Sequence, residues 1–251
     1  MTQARVAVVT GSSSGIGRAI TEFFVRQGTR VVAAGRDRER LDRLAEELVG
    51  QPGAVAPVQG DVTSPGHTGE VLAAAEREWG PASIFVACAR GLPGTVLTSD
   101  ESRWRELIEA NYLAMLHQLR ACGADFKKRA ENDGGEQVRD IVVIGSTVGR
   151  QVSAANPVYG STKFAVHSLV EALRQELCTH NVRVTLVEPG FVRSGFQEAA
   201  GYDMAWFEWV AEESGPLLTP EAVAEAVGFV VDRPRHVHLD DIRLRPTRQR
   251  A

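Results

Sequence analysis

The chain has 251 residues, 43% of them hydrophobic and 24% charged, which allows a sizeable core and argues against disorder. Lysine and arginine number 28 against 32 aspartates and glutamates, a net charge of -4, without the basic footprint of a nucleic-acid partner. Three cysteines, Cys88, Cys122 and Cys178, lie far apart, so neither a disulfide framework nor a clustered metal site is expected, and a reducing compartment fits.

The N-terminus runs straight into a strand pattern without a signal peptide's apolar region or cleavage site. No stretch is long and apolar enough to span a bilayer, so a cytoplasmic protein without membrane contact is expected. Residues 5–10 form a short apolar run that ends in a glycine loop. Residues 16–27 carry apolar side chains at helical spacing and stop at Gly28. A second buried-type strand covers 30–34, and Asp37 then caps a charged amphipathic helix that runs to Val49. Further strands are expected at 54–59, 83–87, 141–145 and 183–187, with helices at 64–78, 101–130 and 157–179. Continuous apolar strands alternating with helices predict an α/β chain: a parallel sheet covered on both faces. No internal repeat or linker interrupts it, and the polar stretch 131–137 reads as a helix-to-strand loop.

Residues 191–216 are long and irregular and carry Phe191, Phe196, Tyr202, Trp206, Phe207 and Trp209. Such a segment reads either as a substrate lid or as an extra surface helix. Two histidines near the end, His236 and His238, lack a third ligand, and no metal is expected.

The loop after the first strand reads Thr10, Gly11, Ser12, Ser13, Ser14, Gly15, Ile16, Gly17. Glycines allow a sharp turn and close approach to a pyrophosphate, and the following helix offers free N–H groups and a positive dipole end. Further on, Tyr159 and Lys163 stand four apart where a helix is expected, so they share a face. A free phenol, with a pKa of about 10, is a poor proton shuttle, and a neighbouring ammonium favours the phenolate. Ser146 ends the strand 13 residues earlier, where its hydroxyl can steady a substrate oxygen as charge develops.

The loop spacing, followed in order by Asn111, Ser146, Tyr159 and Lys163, resembles the short-chain dehydrogenase/reductase family over nearly the whole chain. That resemblance implies a single doubly wound Rossmann-type domain with about seven parallel strands and helices on both faces. It also implies a dehydrogenase/reductase acting on a carbonyl or alcohol. Ser146, Tyr159 and Lys163 would form the active site, and Asn111 would bend its helix and hold a water leading to Lys163. The cofactor would lie against Gly11, Ser13, Ser14, Gly15, Ile16 and Gly17, with Asp61 and Val62 at the adenine and Ala87 and Ala89 along its path. Tyr159, Lys163, Pro189, Gly190, Val192 and Ser194 would surround the nicotinamide.

NAD-preferring relatives place an acidic residue where this chain has Gly35, and Arg36 follows. A guanidinium there fits a 2′-phosphate, so NADP(H) is expected rather than a merely solvated charge. The stretch Ala87, Cys88, Ala89, Arg90 departs from the family's Asn-Asn-Ala-Gly. Arg90 becomes either a rim charge or a contact to a cofactor phosphate or anionic substrate group. The ending resembles the branch of NADP-dependent 3-hydroxy acid (serine-type) dehydrogenases and clavaldehyde-type reductases. Substrate walls are expected at 91–95, 148–152 and 191–209. Assembly as a dimer or tetramer is expected through the helices at 101–130 and 157–179. The rival readings are an NADP(H)-binding regulatory or assembly protein without turnover and, behind it, a lyase or epimerase.

Overall fold

Seven strands rich in Val, Ile and Ala form one parallel sheet: β1 (Val6–Thr10), β2 (Arg30–Gly35), β3 (Ala54–Gln59), β4 (Ile84–Ala87), β5 (Arg139–Ile144), β6 (Val182–Pro189) and β7 (Asp241–Leu244). Their order is β3-β2-β1-β4-β5-β6-β7, each pair parallel. The computed structural model describes residues 4–89, 91–195 and 200–250. Arg90 and Phe196, singled out above, lie outside them.

Residues alternate between the two sheet faces, and each face is covered. On one side Val8, Phe85, Ile141 and Val184 pack with Val71, Met115, Phe126 and Val166. These come from α3 (His67–Trp79), α5 (Ala114–Asn132) and α6 (Pro157–Leu177). On the other side Val9, Val31, Val86 and Val142 pack with Ile20, Phe24, Leu44 and Val227. These come from α1 (Gly15–Arg26), α2 (Arg38–Glu47) and the last helix, Pro220–Val231. The strand order reverses between β1 and β4, and a crevice opens beyond the C-terminal strand ends, the usual ligand position in such sheets. The opposite end is closed by charge: Arg183 grips the buried Asp140 at 2.6 and 3.0 Å, and Arg5 adds a third contact at 2.6 Å.

Asp37 caps α2 as expected, accepting from the Arg40 N–H at 3.1 Å. The helix expected at 101–130 is not continuous. A 3-10 turn (Glu101–Arg103) leads into α4 (Trp104–Ile108), then a π-helical turn (Glu109–Leu113), then α5. Asn111 sits in that π turn. The stretch 191–216 contains a short bridge between Val192 and Leu218 and a helix, α7 (Met204–Ser214), capped by Asp203; the last helix is α8. Strand β7 fell outside the strands located from sequence, because its alternately exposed residues read as polar surface. His236 and His238 precede it, and His238 Nε2 lies 3.1 and 3.0 Å from the backbone N and O of Val184. Among the described residues no helix is long and apolar enough to cross a membrane.

Candidate active site

The glycine loop is built by close packing. Gly11 and Gly15 have φ of +74° and +52°, where a side chain is strained. A Cβ on Gly17 would overlap the Gly11 carbonyl. Ser12 is buried and structural, donating to Val9 O at 2.8 Å and accepting from Thr21 at 3.0 Å. Ser14 is the N-cap of α1 but makes no side-chain capping bond. The first-turn N–H groups behind Ile16 therefore stay open to an anion, which suits a pyrophosphate.

Around that loop the structure gathers several of the expected residues. A Cβ on Gly35 would come within 3.2 Å of Ser13 Oγ, so these two positions adjoin. Arg36 is exposed and makes no ion pair among the described residues, whereas Arg38 pairs with Asp42 and Arg40 with Asp37. Ser194 also reaches the loop: its Oγ lies 3.8 Å from a Cβ position on Gly15. Asp61 Oδ1 accepts from the Thr63 N–H and hydroxyl at 3.0 and 2.9 Å, which fixes the turn through the half-buried Val62. Ala87 is fully buried in the core and offers no accessible surface, while Ala89 is half-buried at its edge. These residues leave a cradle that fits a dinucleotide: a glycine loop, an uncapped helix N-terminus and a free guanidinium.

Ser146, Tyr159 and Lys163 meet at the C-terminal end of β5. Pro157 opens α6, where its missing N–H is harmless. Tyr159, Lys163 and His167 then follow at four-residue intervals on one stripe. The Tyr159 phenol hydrogen-bonds to Ser146. Lys163 Nζ donates to Ile144 O at 2.7 Å and lies 5.7 Å from the Tyr159 ring centre. His167 Nε2 accepts from the Ser146 N–H at 3.4 Å. Asn111, fully buried, donates through Nδ2 to Thr162 Oγ1 at 3.2 Å, and Thr162 donates to Tyr159 O at 2.7 Å. The π turn thus brings Asn111 against the helix that carries Tyr159 and Lys163.

Burial sets the electrostatics. It pushes the Tyr159 phenol above its ordinary pKa; Tyr202 adds to the rise, and the bond to Ser146 opposes it. The expected lowering by Lys163 is not what the pocket gives. Burial pushes Lys163 itself down to about 8, against a smaller opposing pull from Cys88. The Cys88 thiol is pushed up to about 12 by burial, with the Lys163 charge drawing it back. Cys88 lies close to the loop, its Cβ 3.1 Å from a Cβ position on Gly11.

A cavity of about 770 Å³ opens from Ser146 and Tyr159. Its walls include Val148, Gln151 and Val152 and the aromatic face of Phe191, Tyr202, Trp206 and Trp209, both expected. The expected wall at 91–95 does not line it; Leu92 instead packs behind Tyr159 with Leu107. Three features escaped the sequence reading. Asn156 turns from its N-cap position to donate to the Tyr202 hydroxyl at 3.2 Å. Gln249 of the C-terminal tail accepts from the Phe191 N–H at 3.0 Å beside Gly190. His167 stands under Ser146. Only the glycines flanking the His167 ring hinted at it.

Comparisons with known proteins identify the family. The model of the family described as short chain dehydrogenase matches residues 5–205. Dehydrogenase/reductase SDR family member 11 of Mus musculus is 33% identical, over 98% of this chain and 95% of the relative. The closed form of a serine dehydrogenase complexed with NADP+ superposes with a TM-score of 0.85 at 32% identity, covering 98% of this chain and 96% of that one. An alcohol dehydrogenase from the archaeon Thermococcus sibiricus, complexed with 5-hydroxy-NADP, superposes with a TM-score of 0.84 at 27% identity, over 99% of both chains. With its seven-stranded parallel sheet, glycine loop and family match over four-fifths of its length, this chain belongs to the short-chain dehydrogenase family.

Proposed function

We propose that this chain is an NADP(H)-dependent reductase of ketones or aldehydes, acting reversibly on the corresponding alcohols. The observation that carries the reading is the Tyr159 phenol, hydrogen-bonded to Ser146 above the buried Lys163, at the inner end of the large cavity.

A nicotinamide cofactor, its pyrophosphate held at the glycine loop, would supply or accept the hydride. Tyr159 gives its proton to the carbonyl oxygen in reduction and takes one back in oxidation. Ser146 donates to the same oxygen as negative charge gathers on it. The Lys163 ammonium favours the phenolate, and a further positive charge in the pocket adds to that pull against burial. Asn111, tied to Thr162, supports proton supply towards Lys163.

For the cofactor, support comes from the Arg36 guanidinium, without an ion pair among the described residues, and the absent carboxylate at Gly35. The NADP+ and 5-hydroxy-NADP of the two superposed dehydrogenases point the same way. The aromatic wall favours a partly apolar substrate. Ile108, Leu113, Leu116 and Phe164 are exposed along α4 to α6, which supports assembly as a dimer or tetramer through these helices.

Incubation with NADPH and a panel of aldehydes and ketones, followed by the absorbance of the reduced cofactor, tests the reading. Turnover on part of the panel, abolished by Tyr159→Phe, is the expected result. Tight NADPH binding with no oxidation on any substrate would overturn it in favour of a cofactor-binding protein without turnover.

A further inference from the structure

We propose that His167 is a positioning residue for Ser146: its ring, neutral and protonated at Nδ1, accepts from the Ser146 amide and holds the serine hydroxyl against the Tyr159 phenol. The inference rests on the reductase reading, in which Ser146 contacts the substrate oxygen.

Three side chains on one stripe of α6 address the end of β5. Tyr159 meets the Ser146 hydroxyl, Lys163 meets Ile144 O at 2.7 Å, and His167 meets the Ser146 N–H at 3.4 Å. Thus His167 extends the constellation by one helical turn. The strand end is shaped to admit its ring. A Cβ on Gly145 would stand 2.7 Å from His167 Nε2, and one on Gly149 would overlap the ring outright. The two glycines bracket Ser146, so the turn that presents the hydroxyl is folded around the imidazole.

Both ring nitrogens call for the same tautomer. Nε2 faces an N–H and must offer a lone pair. Nδ1 is buried without a hydrogen-bond partner, and Glu188 Oε2 lies 3.8 Å away. A lone pair at Nδ1 would face that carboxylate, while a proton there is attracted to it. Glu188 is itself fully buried, and both its oxygens accept from Arg150 Nε at 2.8 Å. Arg150 also donates to Asp241 at 2.8 Å. The turn from Ser146 to Arg150 is therefore tied at one end by His167 and at the other by this ion-pair network. Burial, and then the charges of Lys163 and Arg150, push the imidazole down to about 4; Asp241 opposes this and Arg243 adds to it. The ring is neutral through the range in which the protein would work.

Long-range proton–nitrogen spectra of histidine-labelled protein read the tautomer directly, without a variant or a substrate. The expected spectrum shows a bare Nε2 and a protonated Nδ1 for His167; a protonated Nε2 overturns the proposal. Kinetics supply the second reading. His167→Phe keeps the ring and loses the acceptor, whereas His167→Gln retains an acceptor. The expected outcome is a kcat lowered roughly 10- to 100-fold in the Phe variant, with NADPH affinity and KM little changed and kcat largely restored in the Gln variant. Melting temperatures that fall alike in both variants with equal kcat would mean a purely structural ring and overturn the proposal. If the Phe variant does not fold, the tautomer of the parent protein decides. Undiminished turnover in Ser146→Ala would instead sink the reductase role of Ser146 and leave the tautomer result standing.

Discussion

Lys163 and Ile144 are joined by a 2.7 Å bond from the buried ammonium to the last carbonyl of β5. The lysine is thus positioned by the strand, and burial lowers its pKa from 10.5 to about 8. That shift corresponds to about 3 kcal/mol of destabilisation of the charged folded form. The sign is set by proton uptake. Between pH 8 and 10.5 the unfolded chain holds more protons on this group than the folded one, so stability attributable to Lys163 rises with pH across that window. Lys163→Met removes the buried charge but orphans the Ile144 carbonyl, a loss of about 1–3 kcal/mol. Near pH 7 the two effects nearly cancel. Urea melts should therefore show the parent gaining on the Met variant by up to about 3 kcal/mol from pH 8 to 10.5. A gap that stays flat would refute the shift. Turnover should be lost at every pH.

Asn111 ties the π turn to α6 through Thr162. In Asn111→Ala the fully buried contact is lost, and the stability cost should be roughly 1–3 kcal/mol. Because Thr162 is bonded in turn to the Tyr159 carbonyl, kcat should fall as well. Asn111→Asp tests geometry against charge: it keeps the shape but brings a carboxylate into a fully buried site against the Thr162 hydroxyl, and should be the less stable of the two. Denaturant midpoints for both variants decide the order.

What could be read from sequence was local or periodic. The glycine loop, the four-residue step from Tyr159 to Lys163 and the apolar strands each declare themselves within a few residues. The π turn does not, because the apolar spacing of 101–130 continues through it. Edge strand β7 has only four residues, exposed Asp241 and Arg243 alternating with half-buried Ile242 and Leu244, too short a pattern to declare itself. The Gln249 contact to Phe191 spans 58 residues, and the fit of His167 between Gly145 and Gly149 crosses from strand end to helix. Neither has a sequence period. Spacing likewise reveals the charge one turn from Tyr159, but not the depth of burial that opposes its pull.

Arg36 is the simplest test of cofactor choice. Its guanidinium is exposed and unpaired among the described residues, while the adjacent arginines are engaged. Arg36→Ala should weaken NADPH binding roughly 10- to 100-fold, the range of a lost charge-assisted contact, and leave NADH binding unchanged. Titrations with both cofactors, monitored by nucleotide fluorescence, measure the ratio. Equal losses for the two would show that Arg36 does not read the 2′-phosphate. The NADPH effect should also shrink in high salt, because the site is exposed to screening.

The three thiols should report the state of the site by their rates of labelling. Cys178 is exposed on the turn after α6 and should react first. Cys122 is fully buried in the core and its thiol is held well above the usual range by burial, so it should label only on unfolding. Cys88 lies between these two. It is half-buried beside the glycine loop, and its thiol, pushed up to about 12, carries little thiolate at neutral pH. It should label slowly, faster as the pH rises, and be shielded by NADPH, because the dinucleotide would cover the same loop. Mass spectrometry of peptides after timed alkylation, with and without cofactor, gives the three rates separately. Protection of Cys88 that is lost in Arg36→Ala at limiting NADPH would link the shielding to the bound nucleotide. A Cys88 rate indifferent to saturating NADPH would show that the cofactor does not lie against Gly11.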